Sequence, residues 1–282
     1  MPSQTPQWFP GHMARTRRQI KESLKLVDAV VELRDARAPE SSRNPELGAL
    51  IGSKPRIVLL NKCDLADPAA TARCLQTLKF ALAVDCRSGR GLQKFAPMVR
   101  DCLADVIASN QAKGMANRPL RLMVVGIPNV GKSSLINRLC GRTRAEIADK
   151  PGVTRRNQWY VAGQAGESKI ELLDTPGVLW PKFEDPAVGE KLAFLHSVKD
   201  ETMDRETLAL RLIEVLRSGY PERLRERYQL AVAPEEPAWQ LLEQLARRRG
   251  MLLPGNEPDT YRAAAALLDD LRGGKLGKIT LD

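Results

Sequence analysis

The stretch Leu120-Arg-Leu-Met-Val-Val-Gly126-Ile-Pro-Asn-Val-Gly131-Lys132-Ser133-Ser134-Leu-Ile-Asn-Arg-Leu-Cys140 decides the fold. Leu120 to Val125 is too continuously apolar for a half-exposed hairpin and reads as a buried strand of a parallel sheet. Ser134 to Cys140 reads as a helix. Between them stands G-x-x-x-x-G-K-S, a pattern whose glycines let successive backbone N–H groups converge on phosphate oxygens at the positive end of a helix. Lys132 is placed to neutralise the terminal phosphates, the Ser133 hydroxyl to ligate Mg²⁺, and Asn129, Val130, Gly131 and Ser134 to complete the cradle. A bound nucleoside triphosphate is the expectation.

Outward from this loop, short apolar runs alternate with helical stretches. The strand candidates are Val27 to Leu33, Arg56 to Leu60, Leu82 to Val84, Gln158 to Ala162 and Ile170 to Leu173; Asp67 to Lys79 and Leu92 to Ser109 read as helices. The polar stretch Ser109 to Pro119, with Gly and Pro, reads as a surface linker. Beyond about residue 200 strand signals stop and amphipathic helices take over, with Leu208, Ala209, Leu212, Ile213 and Leu216 on one stripe and Tyr261, Ala265 and Leu268 on another. The expected architecture is α/β, a P-loop NTPase sheet followed by a small all-α domain. Its parts are a basic segment over 1–26, a nucleotide-binding domain over 27–185 and a helical domain over 200–282.

Asn61-Lys62-Cys63-Asp64 ends the Arg56 to Leu60 strand and names the base. A carboxylate at Asp64 accepts from both the ring N–H and the exocyclic amine of guanine, and adenine offers no such donor pair. Asn61 would brace the loop and Lys62 lie over the base. Asp85-Cys86-Arg87, after the next strand, could bring a backbone N–H to the guanine carbonyl. Asp174-Thr-Pro-Gly177, also after a strand, would place Asp174 near Mg²⁺ and the Gly177 N–H against the γ-phosphate. Thr154, in Pro151-Gly-Val-Thr154, offers a second hydroxyl for the metal.

The base-reading loop precedes the phosphate loop, whereas ordinary GTPases carry it afterwards, so the order is circularly permuted. The 109–119 linker would join the former termini. Together with Gln7-Trp-Phe-Pro-Gly-His-Met-Ala14, Asp35-Ala-Arg37, Ser41-Ser-Arg-Asn-Pro45, Leu179-Trp-Pro-Lys-Phe-Glu-Asp185 and Tyr220-Pro-Glu-Arg-Leu224, these motifs resemble the circularly permuted GTPases, in particular those of bacterial ribosome biogenesis. The resemblance covers nearly the whole chain. It implies GTP/GDP as ligand, association with the large ribosomal subunit in late maturation, and a helical carboxy-terminal domain on ribosomal RNA. It also implies a bound K⁺ at Asn129. Val178 follows Gly177 where many GTPases carry a water-positioning Gln, so intrinsic hydrolysis should be slow; His12 is the candidate to supply that role.

The 282 residues carry 44 Lys+Arg against 34 Asp+Glu, a net charge of +10 that suits a polyanionic partner. Residues 12–26, with Arg15, Arg17, Arg18, Lys21 and Lys25 against Glu22, carry +4, and Arg247-Arg-Arg249 forms a second basic run. Five cysteines without a C-x-x-C pair indicate neither a disulfide framework nor a zinc site, which fits a reducing, cytoplasmic setting. No segment approaches a membrane span, and no heptad seam argues for anything but a monomer. Two other readings stand beside the subunit-activated GTPase: a GTP-gated RNA-binding module with incidental hydrolysis, and a P-loop kinase or ATPase, against which Asn61 to Asp64 speaks.

Overall fold

The apolar run starting at Val27 becomes β1, Ala29–Asp35, with all seven residues buried although three are Glu32, Arg34 and Asp35. The computed structural model describes residues 18, 20–141, 158–175, 185–198, 204–233 and 235–282. Those within 7–183, with Asp282, form one compact unit, and those within 184–281 form a second.

In the first unit β1 pairs in parallel with β2 (Arg56–Asn61) on one side and with β4 (Leu120–Gly126) on the other. Beyond β2 lies β3 (Ala81–Ala83), also parallel. Beyond β4 lies β6 (Ser168–Asp174), parallel, and β5 (Gln158–Ala165) closes the edge antiparallel to β6. The antiparallel edge follows from the turn: only Gly166 (φ +66°) and Glu167 separate the two strands, too short for any crossover.

Helices flank the sheet. The sequence reading missed α1 (Leu47–Ile51), which buries Leu47 and Ile51 against Ile20, Leu24, Val30 and Met123. Next comes α2 (Pro68–Gln76), where the Asp67 carboxylate accepts from Ala69 N–H at 2.7 Å and Ala70 N–H at 3.2 Å, and Pro68 fills the first turn. The single helix expected over 92–109 is three pieces: a 3₁₀ turn Leu92–Lys94, α3 (Phe95–Cys102) and α4 (Ala104–Ala112). Leu103, buried with φ −109° and ψ 21°, makes the break. Since α4 continues to Ala112, the irregular connection to β4 is shorter than the linker read from composition. After β4 comes α5 (Lys132–Cys140).

The registers set Asp35 beside Asn61, Leu33 beside Gly126 and Val124 beside Asp174. The carboxyl ends of four strands therefore line one edge. From β1 the chain proceeds outward through β2 and β3, then re-enters at β4 on the opposite side of β1. That reversal opens a crevice above the β1–β4 pair, where ligands of open α/β sheets bind.

The second unit begins earlier than the expected residue 200. Asp185 caps α6 (Pro186–Phe194), which the sequence reading passed over. Then follow α7 (Arg205–Gly219), α8 (Pro221–Tyr228), α9 (Ala238–Arg248), a small hairpin of β7 (Leu252–Leu253) and β8 (Glu257–Pro258), and α10 (Thr260–Arg272). The stripe Leu208, Ala209, Leu212, Ile213, Leu216 is buried as expected. On α10 the buried face is Ala263, Ala264, Leu267, Leu268 and Leu271, while Tyr261 is 54% exposed beneath the Arg205 guanidinium at 5.2 Å. Of the expected stripe, Leu268 is buried and Ala265 half-buried, while Tyr261 belongs to the surface.

Candidate functional site

The phosphate loop forms where the sequence placed it, leaving β4 at Gly126 and entering α5 at Lys132. Its glycines are dictated by contact. A Cβ on Gly126 would lie 2.7 Å from the Leu33 carbonyl oxygen, and one on Gly131 (φ +108°) would lie 2.3 Å from the Asn61 Nδ2. Asn129 also adopts a left-handed backbone, at φ +57°.

Asn61 joins three segments remote in the chain. Its side chain is buried; Nδ2 donates to the Val130 carbonyl at 2.7 Å, and Oδ1 accepts the Cys86 N–H at 3.0 Å. One amide thus ties the base-reading loop to the phosphate loop and to the turn after β3. Lys62, itself at φ +60°, reinforces the first tie: its Nζ donates to the Asn129 carbonyl at 2.9 Å. Asp64, half-buried, is within electrostatic reach of Arg37 and Lys62.

The turn 85–91 is built from its own groups. The Asp85 carboxylate accepts from Arg87 N–H at 2.8 Å and Ser88 N–H at 3.2 Å, which with the polar surroundings holds its pKa below the usual carboxylate value despite burial. The Cys86 thiol is pushed up to about 12 by burial. Of the backbone N–H groups in Asp85-Cys86-Arg87, that of Cys86 is engaged by Asn61, that of Arg87 by Asp85 and that of Asp85 by the Arg90 carbonyl.

Lys132 is buried, and its ammonium donates to the Gly126 and Ile127 carbonyls at 3.1 and 3.0 Å. Burial pulls its pKa down to about 8, opposed by the charge of Asp174. Asp174 ends β6, buried, and the next residue anchors that end: Thr175 Oγ1 donates to the Val124 carbonyl at 2.6 Å. Thr175 was not singled out by sequence reading, and only the register of β4 against β6 reveals its part. Ser133, in the first turn of α5, and Asp174, at the end of β6, are hard oxygen donors, the kind that hold Mg²⁺ together with phosphate oxygens. His12, Thr154, Gly177 and Val178 lie outside the described residues.

The basic run Arg247-Arg-Arg249 is not a free phosphate-binding strip. Arg249 pairs with buried Asp270 at 2.9 Å and lies over the Tyr228 ring, and Arg247 donates to the Asn256 carbonyl. Asp270 also accepts from Arg227 at 2.8 Å and from the Tyr228 hydroxyl at 3.0 Å. The surplus charge lies elsewhere: residues 1–183 hold 29 Lys+Arg against 16 Asp+Glu, and 184–282 hold 15 against 18.

Residues 121–235 match the family model described as 50S ribosome-binding GTPase. Ribosome biogenesis GTPase A of Priestia megaterium is 46% identical over 99% of this chain and 96% of its own length. Mitochondrial ribosome-associated GTPase 1 of Mus musculus is 35% identical over 98% of this chain and 89% of its own. Among solved structures, a GDP-bound YlqF is similar with a TM-score of 0.65 at 27% identity, covering 94% of this chain and 98% of that one. A GNP-bound YlqF from T. maritima superposes with the same TM-score at 26% identity, covering 95% and 97%.

Proposed function

This chain belongs to the family of ribosome biogenesis GTPase A, and from that premise we propose that it binds the large ribosomal subunit late in its maturation and hydrolyses GTP there. GTP hydrolysis in ribosome biogenesis is the family's work; the subunit, the timing and the residues are our reading. The observation that carries it is the Asn61 side chain, which spans the Val130 carbonyl and the Cys86 N–H and so puts a guanine-type reader and a triphosphate cradle on one edge of the sheet.

In this reading Asp64 selects guanine, Lys62 lies over the base, and Asn129 through Ser134 wrap the phosphates. Lys132 exchanges its two carbonyl acceptors for phosphate oxygens and is charged fully when they arrive. Ser133, Thr154 and Asp174 would hold a Mg²⁺ ion, which would supply neutralisation of phosphate charge. Gly177 contacts the γ-phosphate. Asn129 would hold a K⁺ ion, which would supply a fixed positive charge, and His12 serves the attacking water in place of the Gln that Val178 replaces. The protein works in the cytoplasm as a monomer.

The helical carboxy-terminal domain contacts ribosomal RNA, and the nucleotide-binding unit adds basic surface to that contact. Support comes from charge: the excess of 13 basic residues within 1–183 stands against a net −3 in 184–282. The test is GTP turnover with and without purified large subunits. The reading expects at least a tenfold rise. No rise would favour a GTP-gated RNA-binding module whose hydrolysis is incidental.

A further inference from the structure

Asp35-Ala-Arg37 has so far carried resemblance and no chemistry. The structure puts it against the base-reading loop. Asp35 ends β1 in register with Asn61, and the Ala36 N–H donates to the Asn61 carbonyl at 2.8 Å. The Asp35 carboxylate is wholly buried, yet it meets two cations: Arg37 through Nε at 3.0 Å and a terminal nitrogen at 2.9 Å, and Lys62 Nζ at 3.0 Å. Lys62 reaches past it to the Asn129 carbonyl of the phosphate loop.

We infer that Asp35 is a positioning residue of the nucleotide site: it holds the Lys62 ammonium on the phosphate loop and against the face of the base. The inference rests on the assignment of residues 61–64 as the guanine reader. A simple Asp35–Arg37 ion pair would satisfy the buried carboxylate without Lys62. The second cation is what needs a reason, because bringing Lys62 beside Arg37 is favourable only with a carboxylate between them. Asp35 thereby removes the cost of ordering a long side chain before the nucleotide arrives.

The groups facing Lys62 are Asp35 and Arg37 from the end of β1, Asp64 from its own loop and the Asn129 carbonyl from the phosphate loop. Burial and Arg37 pull the Lys62 pKa down; Asp35 and Asp64 hold it up. Without the Asp35 charge the ammonium is left facing Arg37.

The experiment is displacement of a fluorescent GDP analogue by GDP from wild type, Asp35→Asn, Lys62→Met and the double variant at pH 7.5. The readout is the ratio of variant to wild-type Kd. For Asp35→Asn the ratio is expected at tenfold or more, as for Lys62→Met. Adding Asp35→Asn to Lys62→Met should cost less than a further twofold. An Asp35→Asn ratio within threefold of wild type, or losses that multiply independently, overturns the inference. If Asp35→Asn does not fold, Arg37→Gln decides. Its Asp35–Lys62 contact survives, so GDP affinity should stay within threefold of wild type, and a tenfold loss overturns the inference. ADP displacing the analogue from wild type as well as GDP does would sink the guanine assignment itself, and this inference with it.

Discussion

Replacing Asn61 by Ala removes a side chain that bonds to both the phosphate loop and the turn after β3. The amide is 3% exposed, and its two hydrogen bonds measure 2.7 and 3.0 Å. Truncation leaves the Val130 carbonyl and the Cys86 N–H inside the protein without these partners. Each such orphan costs about 1–3 kcal/mol, so the pair sets a scale of about 2–4 kcal/mol once partial relaxation is allowed. Part of that loss falls on the fold and part on the nucleotide, because both loops must be in place before the ligand is grasped. At about 1.4 kcal/mol per decade, GDP affinity should drop by about one to two orders of magnitude if half the loss or more reaches the ligand. The assay is thermal unfolding with and without excess GDP, since the ligand stabilises by an amount set by its concentration over Kd. A variant that unfolds earlier and also loses most of its GDP-induced rise in Tm agrees with the reasoning. A variant that binds GDP within twofold of wild type refutes it, whatever happens to its Tm.

Further expectations concern the same loops. Gly131→Ala places a Cβ 2.3 Å from Asn61 Nδ2 at a φ of +108°, so it should weaken GDP binding as Asn61→Ala does, and in the double variant the two losses should fail to add. Lys132 in the free protein titrates at about 8, and phosphate oxygens favour its charged form. Nucleotide affinity should therefore be steady below pH 8 and fall above it, with proton uptake on binding at pH 8.5; calorimetry in buffers of different ionisation enthalpy reads that uptake directly, and none would contradict the assignment. If Asn129 holds K⁺, hydrolysis should be faster in K⁺ than in Na⁺ at equal ionic strength, and Asn129→Ala should erase the difference.

The loops of the candidate site were legible because they are set by local backbone geometry. Gly126 to Ser133 between an apolar strand and a helix needs no tertiary knowledge to be read as a phosphate cradle, and a strand-ending Asn61 to Asp64 is nearly as self-contained. What sequence reading missed depends on partners that only folding supplies. The α1 helix is a mere five residues and α8, Pro-Glu-Arg-Leu-Arg-Glu-Arg-Tyr, is too polar to advertise its buried Leu224 and Tyr228. The charges on β1 belong inside because Arg34 meets Glu32 at 2.9 Å and Arg56 reaches the same carboxylate at 3.5 Å, pairings no periodicity announces. Arg249, read only as part of a basic run, is paired with Asp270, 21 residues away. Asp35 failed to stand out for the same reason: its partner Lys62 comes from the loop after the neighbouring strand.

The most direct measurement of the central claim is the binding of GDP and of xanthosine diphosphate to wild type and to Asp64→Asn by titration calorimetry. Xanthine carries a carbonyl where guanine carries its exocyclic amine, so an amide at position 64 can donate to it. The account predicts that wild type prefers GDP and that Asp64→Asn reverses the preference, with the phosphate contacts of Lys132 unchanged. An Asp64→Asn protein that still prefers GDP by the wild-type margin would mean that the two loops do not close on one guanine nucleotide.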